Sequence, residues 1–350
     1  MGDAPTSIGS RYSRLPIAMC LCPYCFQNEI DSQADRSRIR RRSISSRVID
    51  GIVDYAERIV ATDEYRGFAL HLFGGEPLMA YRECCELLGR LQGKGMLAAA
   101  AASNGSLLTP ARIAELSALG LTTVQVTFDG DRENHDATRA TRSGRGTYDR
   151  ILRNVRSSSE SAGISWVVRV NMTYENIAGL NLLAGDIVES FPPERTIVYF
   201  TPVIDYGLGV KNESISTRRS EEVIAECCRL LLVSGFTIPP PLGVAQRCAY
   251  CDDPEASTGS VIDPEGRLYS CWDRAGRPEL AIGDIWSGRD PRLAEANWFR
   301  CADEAVALPV DDGWRAIGEI VDLAVLRYRR AHPFPELQDA GRSPALAPHL

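Results

Sequence analysis

Short apolar runs of strand length alternate along this chain with longer stretches whose apolar residues recur every three to four positions. Leu15–Met19, Phe68–Phe73, Met96–Ala102, Val124–Phe128, Trp166–Asn171 and Ile197–Thr201 read as strands. Val48–Ile59, Leu78–Leu91, Pro110–Leu119, Tyr148–Val155, Asn176–Val188 and Glu221–Leu232 read as the helices that follow them. Six strand-then-helix units predict an α/β fold with a parallel sheet and right-handed crossovers. Six units fall two short of a closed barrel of eight, so the pattern predicts a partial (β/α)6 TIM-like barrel with its active site at the carboxyl ends of the strands.

If that rule holds, polar and glycine-rich groups should follow strands rather than precede them, and they do. Cys20, Cys22 and Cys25 follow the first run, Gly74-Gly75-Glu76-Pro77 the second, Ser103-Asn104-Gly105 the third and Asp129-Gly130 the fourth, while Asn171 and Thr201 end the fifth and sixth. After the sixth helix, Ile238-Pro239-Pro240-Pro241-Leu242-Gly243 is stiff punctuation that suits a domain boundary. Beyond it, Ser260–Tyr269 reads as a β-hairpin closed by a Pro-Glu-Gly turn, with Cys271 just past it, and Ala316–Arg330 has the spacing of a terminal helix. The expected organisation is an amino-terminal segment over 1–13, the barrel over 14–237, a Pro-rich linker over 238–243, a small carboxyl-terminal domain over 244–335 and a mobile tail over 336–350.

Composition narrows the class. The 350 residues are 44% apolar, ordinary for a globular protein. The amino terminus lacks a signal-peptide core, and no apolar run approaches the roughly 18 residues that span a bilayer, so a cytoplasmic protein with no membrane partner is expected. Gly2–Thr6 fits the loose myristoylation pattern, which a short acidic, Pro-containing end matches by chance. The net charge of −7 argues against nucleic acid as the main partner, and Arg36, Arg38, Arg40, Arg41 and Arg42, without interleaved aromatics, read as a solvated loop.

Eleven cysteines are many for a reducing compartment, where such density points to metal or catalysis rather than disulfides. Cys84, Cys85, Cys227 and Cys228 sit in apolar helical patterns and read as small core residues. The others gather at the two ends. Cys22-Pro23-Tyr24-Cys25 alone resembles a redox dithiol, and the thiolates would equally serve zinc or an iron–sulfur cluster. A dithiol domain would need only about a hundred residues and would leave the polar groups at five later strand ends without a role.

The cysteine group after the first strand, FGGEPL at Phe73–Leu78, SNGSLLT at Ser103–Thr109, VTFDG at Val126–Gly130 and HDATRATRSGRGTYDRI at His135–Ile151 together resemble the radical S-adenosylmethionine (SAM) superfamily. More narrowly they resemble its peptide- and protein-modifying maturases with a carboxyl-terminal SPASM domain, the anaerobic sulfatase-maturase type. The resemblance implies a [4Fe–4S] cluster on Cys20, Cys22 and Cys25 that leaves one iron free to chelate SAM. It also implies a SAM or substrate cavity lined by Gly74, Gly75, Glu76, Pro77, Ser103, Asn104, Asp129, Arg169 and Asn171. Gly74 and Gly75 would let backbone carbonyls approach the ligand's ammonium, with the Glu76 carboxylate nearby. Arg139, Arg142 and Gly146 match the region after the fourth strand without individual roles.

Two departures stand out. The family motif is C-x3-C-x2-C, and its first position falls on Ala18, leaving Cys20 as the substitute in C-x-C-x2-C. In the carboxyl-terminal region Cys251-x14-Gly266-x4-Cys271 fits the SPASM opening with Cys248 nearby, but of the next motif only Cys301 remains, and Glu304, Val310 and Trp314 stand where the other cysteines would be. One auxiliary cluster on Cys248, Cys251, Cys271 and Cys301 is therefore the most this region implies; four thiolates would also suit zinc.

The expected activity is reductive cleavage of SAM to a 5′-deoxyadenosyl radical that abstracts hydrogen from a peptide or protein side chain, oxidising or cross-linking it. Expected partners are that substrate, a reductant protein and, because the chain starts directly at the first strand, either a separate leader-peptide-binding protein or none, the substrate then binding directly. The alternative from another class is a catalytically silent homologue that binds or assembles with an active maturase; a zinc-bound structural module ranks last.

Overall fold

The computed structural model describes residues 9–14, 43–62, 66–141, 143–158, 163–203, 218–239, 259–272, 274–299 and 312–332. Its strands are β1 (Gly9–Arg14), β2 (Phe68–Gly74), β3 (Met96–Ser103), β4 (Leu121–Phe128), β5 (Ser165–Met172), β6 (Thr196–Pro202), β7 (Gly259–Ile262), β8 (Arg267–Tyr269), β9 (Gly283–Asp284) and β10 (Gly288–Arg289). Its helices are α1 (Ser46–Val60), α2 (Tyr81–Leu91), α3 (Pro110–Ala118), α4 (Arg132–Thr138), α5 (Tyr148–Ser158), α6 (Leu180–Ser190), α7 (Arg218–Val233), α8 (Pro291–Asn297) and α9 (Asp312–Ala331).

One sheet runs β10-β9-β8-β7-β1-β2-β3-β4-β5-β6. β1 to β6 are parallel in chain order, the arrangement the strand–helix alternation predicts. The carboxyl-terminal hairpin continues the sheet: β7 lies parallel to β1, with Gly9 opposite Gly259, and β8 to β10 follow antiparallel.

The first described strand precedes the run read from the sequence. The apolar run Leu15–Met19 lies outside the described residues, and the strand paired to β2 and β7 is Gly9–Arg14, GSRYSR. It begins inside the segment expected to precede the barrel. A central strand is fixed by backbone hydrogen bonds to both neighbours, so it forms here without the apolar alternation that a pattern search detects. The helix read as Leu78–Leu91 is a 3-10 turn over Pro77–Ala80 followed by α2. β9, β10, α4 and α8 were too short for the periodicity to reveal.

Strand residues alternate between two faces. Phe68, Leu70 and Leu72 of β2, Val124, Val126 and Phe128 of β4, and Trp166, Val168 and Val170 of β5 join one core with the helices. There Phe128, Tyr148, Trp166 and Phe191 meet edge to face, with Phe128 and Tyr148 centroids 5.5 Å apart. Each fully buried large side chain of this kind contributes roughly 1.5–3 kcal/mol. The helix stripes match: α1 buries Val48, Ile49, Ile52, Val53 and Ala56, and its amino end is capped by the Ser45 hydroxyl, which accepts from Val48 N. Cys84, Cys227 and Cys228 are buried in this core, where burial pushes the Cys228 thiol up to about 12, and Cys85 packs against it. α9 lies against α7, placing Val321 and Val325 in the barrel's core rather than in a separate one.

Candidate active site

The other face of the sheet is the inner wall of the partial barrel, and its chemistry differs. β4 presents Thr123, Gln125 and Thr127 there, in register with Val167 and Arg169 of β5 and, beyond them, Ile197, Tyr199 and Thr201 of β6. β3 adds alanines, so the wall is small-sided and polar where the helix-facing surface is branched and apolar.

At the carboxyl end of β2, Gly74 adopts φ 140°, a conformation that side chains disfavour. Gly74 and Gly75 are half-buried; Glu76 and Pro77 are buried. Both oxygens of the Glu76 carboxylate are engaged by the protein. Its Oε1 accepts from the Ser103 hydroxyl at 2.9 Å and from Leu78 N at 3.1 Å, and its Oε2 accepts from Asn104 N at 2.7 Å. Burial pushes this carboxyl up, against the pull of those three donors. Glu76 therefore ties the loop after β2 to the loop after β3. Asn104 turns its own Oδ1 back to Ser106 N at 2.8 Å, and the loop is closed by Gly105 at φ 81°, where a Cβ would meet Ile151 at 2.8 Å.

A second network holds the ends of β4 and β5. Asp129, 2% exposed, accepts from Asn171 Nδ2 at 3.0 Å and from the Thr138 hydroxyl at 2.9 Å, and pairs with Arg139 at 3.5 Å. Asn171 in turn accepts from Arg169 Nε at 2.8 Å, so the half-buried Arg169 is oriented through Asn171 by Asp129. His135, fully buried, lies beside this cluster. Its Nδ1 accepts from Asp129 N at 3.4 Å and its Nε2 lies 3.0 Å from the Thr147 hydroxyl, which donates to Arg139 O. Those partners require a neutral ring protonated on Nε2, in agreement with burial, and secondarily Arg139, pushing its pKa down to about 4.

The HDATR…GTY segment, for which the sequence offered no individual roles, has a structural one in part. Asp136 Oδ1 accepts from Thr147 N at 2.7 Å and Tyr148 N at 3.0 Å, capping α5, and Gly146 makes room, since a Cβ there would lie 2.1 Å from the Asp136 carboxylate. Arg142 lies outside the described residues.

So do Cys20, Cys22, Cys25, Cys248, Cys251 and Cys301. Among the described residues no group of three His, Cys, Asp or Glu could hold a metal ion. Cys271 is described: it is buried just after β8, beside Trp272, whose ring lies 6.4 Å from Phe73 of β2. The structure thus gathers Gly74, Gly75, Glu76, Pro77, Ser103, Asn104, Asp129, Arg169 and Asn171 at one end of the barrel. Gln125, Tyr199 and Trp272 escaped the sequence reading, and His135 and Thr138 lay in a quoted motif without a role, although the period-two alternation of LTTVQVTF already separated the polar inner positions of β4 from its apolar outer ones.

Residues 20–184 match the radical SAM superfamily model, a segment that opens on Cys20. That segment is similar to a radical SAM domain. Radical SAM proteins use a [4Fe–4S] cluster and SAM in oxidoreductase-type chemistry. The Fe-coproporphyrin III synthase of Methanosarcina barkeri is 29% identical over 184 residues, 52% of this chain, and the match spans 43% of that relative's length. Among solved structures, anSMEcpe with bound AdoMet has a TM-score of 0.65 at 15% identity, covering 93% of this chain and 95% of that one. The same protein with AdoMet and a Cp18Cys peptide gives 0.62 at 14% identity over 92% and 98%. Streptococcus suis SuiB bound to S-adenosylmethionine gives 0.52 at 14% identity over 86% and 68%. At these identities the likeness is one of fold.

The inner end of this barrel fits SAM chemically. The carboxyl end of β2 and the residue after it offer backbone at Gly74 and Gly75 that no Cβ shields, and β5 and β6 offer the guanidinium of Arg169, oriented by Asn171, and the hydroxyl of Thr201. A zwitterionic amino acid joined to a nucleoside needs such a mixed set. Among the described residues no helix is long and apolar enough to cross a membrane.

Proposed function

We propose that this chain is a radical SAM enzyme acting on a peptide or protein, oxidising or cross-linking a side chain. The observation that carries the reading is the polar inner end of a partial barrel that follows a cysteine triplet, within the segment matching the superfamily. When bound, the cluster and SAM supply a 5′-deoxyadenosyl radical able to abstract a substrate hydrogen. Cys20, Cys22 and Cys25 would hold the cluster, with Cys20 serving in place of a ligand at Ala18.

The protein's own part is placement. Glu76 fixes the loops after β2 and β3 against each other, Asp129 and Asn171 fix Arg169, and the neutral His135 fixes the Asp129 backbone. A peptide substrate is supported by the resemblance of the carboxyl-terminal cysteine spacing to a SPASM domain and by the anSMEcpe structure that carries a peptide. On this reading residues 244–335 form a reduced SPASM-like unit with at most one auxiliary cluster on Cys248, Cys251, Cys271 and Cys301. A reductant protein and a separate leader-peptide-binding protein complete the system.

Anaerobic reconstitution followed by SAM and dithionite should yield 5′-deoxyadenosine. A fully loaded cluster with no cleavage above background would instead favour the second reading, motivated by Ala18: a catalytically silent partner of an active maturase.

A further inference from the structure

On the inner wall, Gln125 is 6% exposed, and its Oε1 accepts from the Tyr199 hydroxyl at 3.1 Å. The registers place Gln125 level with Val167, and Thr127 level with Arg169 and Tyr199. Tyr199 therefore reaches over Val167, across β5, to Gln125 on β4. This bond uses the only acceptor of the Gln125 side chain. Its NH2 group has no acceptor among the described residues. That nitrogen is not among the fully buried unpaired polar atoms, so it is open to a ligand or water on the inner side of the wall.

Arg169 is the neighbouring inner residue, one strand across and one pleat nearer the carboxyl end. It spends Nε on Asn171, leaving its two terminal nitrogens, and among the described residues it faces no carboxylate within ion-pair distance. The two positions are diagonal neighbours, roughly 8 Å apart between backbones, a span that a glutamine and an arginine side chain can close onto one carboxylate. Phe73 of β2 and Trp272 just after β8 form an aromatic pair, with ring centroids 6.4 Å apart.

We propose that Gln125 and Arg169 form a subsite inside the barrel for a carboxylate of the substrate, with Tyr199 holding Gln125 so that its NH2 faces the cavity. Tyr199 is a positioning residue here, and Gln125 a specificity-determining one. The proposal rests on the radical SAM reading above and deepens it by naming an acidic substrate. The rival source of the same chemistry is the carboxylate of SAM itself.

The test uses the full chain, reconstituted anaerobically, with glutarate as the acidic probe and the neutral glutaramide as its control, binding being read from thermal shifts with and without saturating SAM. Glutarate should raise the melting temperature more than glutaramide does, and should still do so with SAM bound. Gln125→Leu should weaken glutarate binding about fivefold and Arg169→Gln about tenfold. Gln125→Glu, which keeps the shape if Gln125→Leu does not fold, should abolish the preference for glutarate. Loss of the glutarate response under saturating SAM assigns the carboxylate to SAM and overturns the subsite. Unchanged glutarate binding in Gln125→Glu overturns it as well. The SAM-cleavage assay reads the underlying reaction separately: cleavage by a wild type indifferent to glutarate sinks the subsite alone.

Discussion

The Glu76 carboxylate accepts a 2.7 Å hydrogen bond from the backbone N–H of Asn104, joining the ends of two parallel strands. With Leu78 N and the Ser103 hydroxyl as its other donors, this buried side chain serves the loops on either side of it. Glu76→Ala leaves three donors unmet and should cost about 2–4 kcal/mol of stability. Glu76→Gln should also destabilise, because its NH2 would face N–H donors. Urea denaturation checks the first effect and equilibrium dialysis of SAM the second consequence, weaker binding as the loops separate. Normal stability and SAM affinity in both variants would show that the loops hold without this link.

Iron and sulfide content decide whether Cys20, Cys22 and Cys25 hold a cluster. The wild type, reconstituted anaerobically, should carry about four irons per cluster, and Cys20→Ala should lose them. Ala18→Cys should restore iron to the Cys20→Ala background. If Cys20→Ala keeps its full iron complement and spectrum, Cys20 is no ligand.

His135 gives a pH dependence whose sign follows from burial. Its pKa falls from the ordinary 6.5 to about 4 in the folded protein, so the unfolded chain binds more protons between those values. The stability linked to the neutral ring is complete above about pH 6.5 and is lost as pH falls toward 4, a change on the order of 3 kcal/mol. Urea midpoints at pH 7 and 4.5 should show this drop in wild type, and a smaller one in His135→Asn. Equal slopes in the two proteins would assign the drop to other groups.

Gly51 on α1 lies against the turn between β9 and β10. A Cβ at Gly51 would come within 2.7 Å of Ile285 Cδ1 and 2.8 Å of Trp286 Nε1. Arg58 donates to Ile285 O at 2.5 Å and Arg47 stacks over Trp286 at 5.2 Å, so the turn is clamped on this helix. Gly51→Ala should destabilise by about 1–3 kcal/mol despite alanine's better helix propensity. In a Trp286→Ala background the cost should shrink, a coupling that a double-mutant cycle in urea measures. Additive effects would mean that the turn does not press on α1.

Much of the barrel was legible because local patterns report it. Strand and helix periods differ, and β2 to β6 and the helices packed on them show both clearly. The polar groups at strand ends were legible as well, since each interrupts an apolar run. Roles within the site were not. Nothing in FGGEP says that the Glu76 carboxylate is consumed by Ser103, Leu78 and Asn104, because those partners come from a strand and loop that meet it only in the folded sheet. The His135 tautomer is likewise set by Asp129 N and Thr147, brought together by the turn into α5.

By itself the sequence determined the α/β class, the strand-end location of the candidate chemistry and the superfamily, all of which depend on neighbours close in the chain or on motif order. Only the tertiary structure decided that GSRYSR is a strand between β2 and β7, that the carboxyl-terminal hairpin extends the barrel sheet, and that α9 seals against α7. Those outcomes rest on backbone pairing and apolar burial between segments far apart in sequence, where the pairing energy depends on which partner is met and not on the local pattern. The meeting of Gln125, Tyr199 and Arg169 on one inner wall belongs to the same class: three strands had to align before a polar alternation became a set of converging donors.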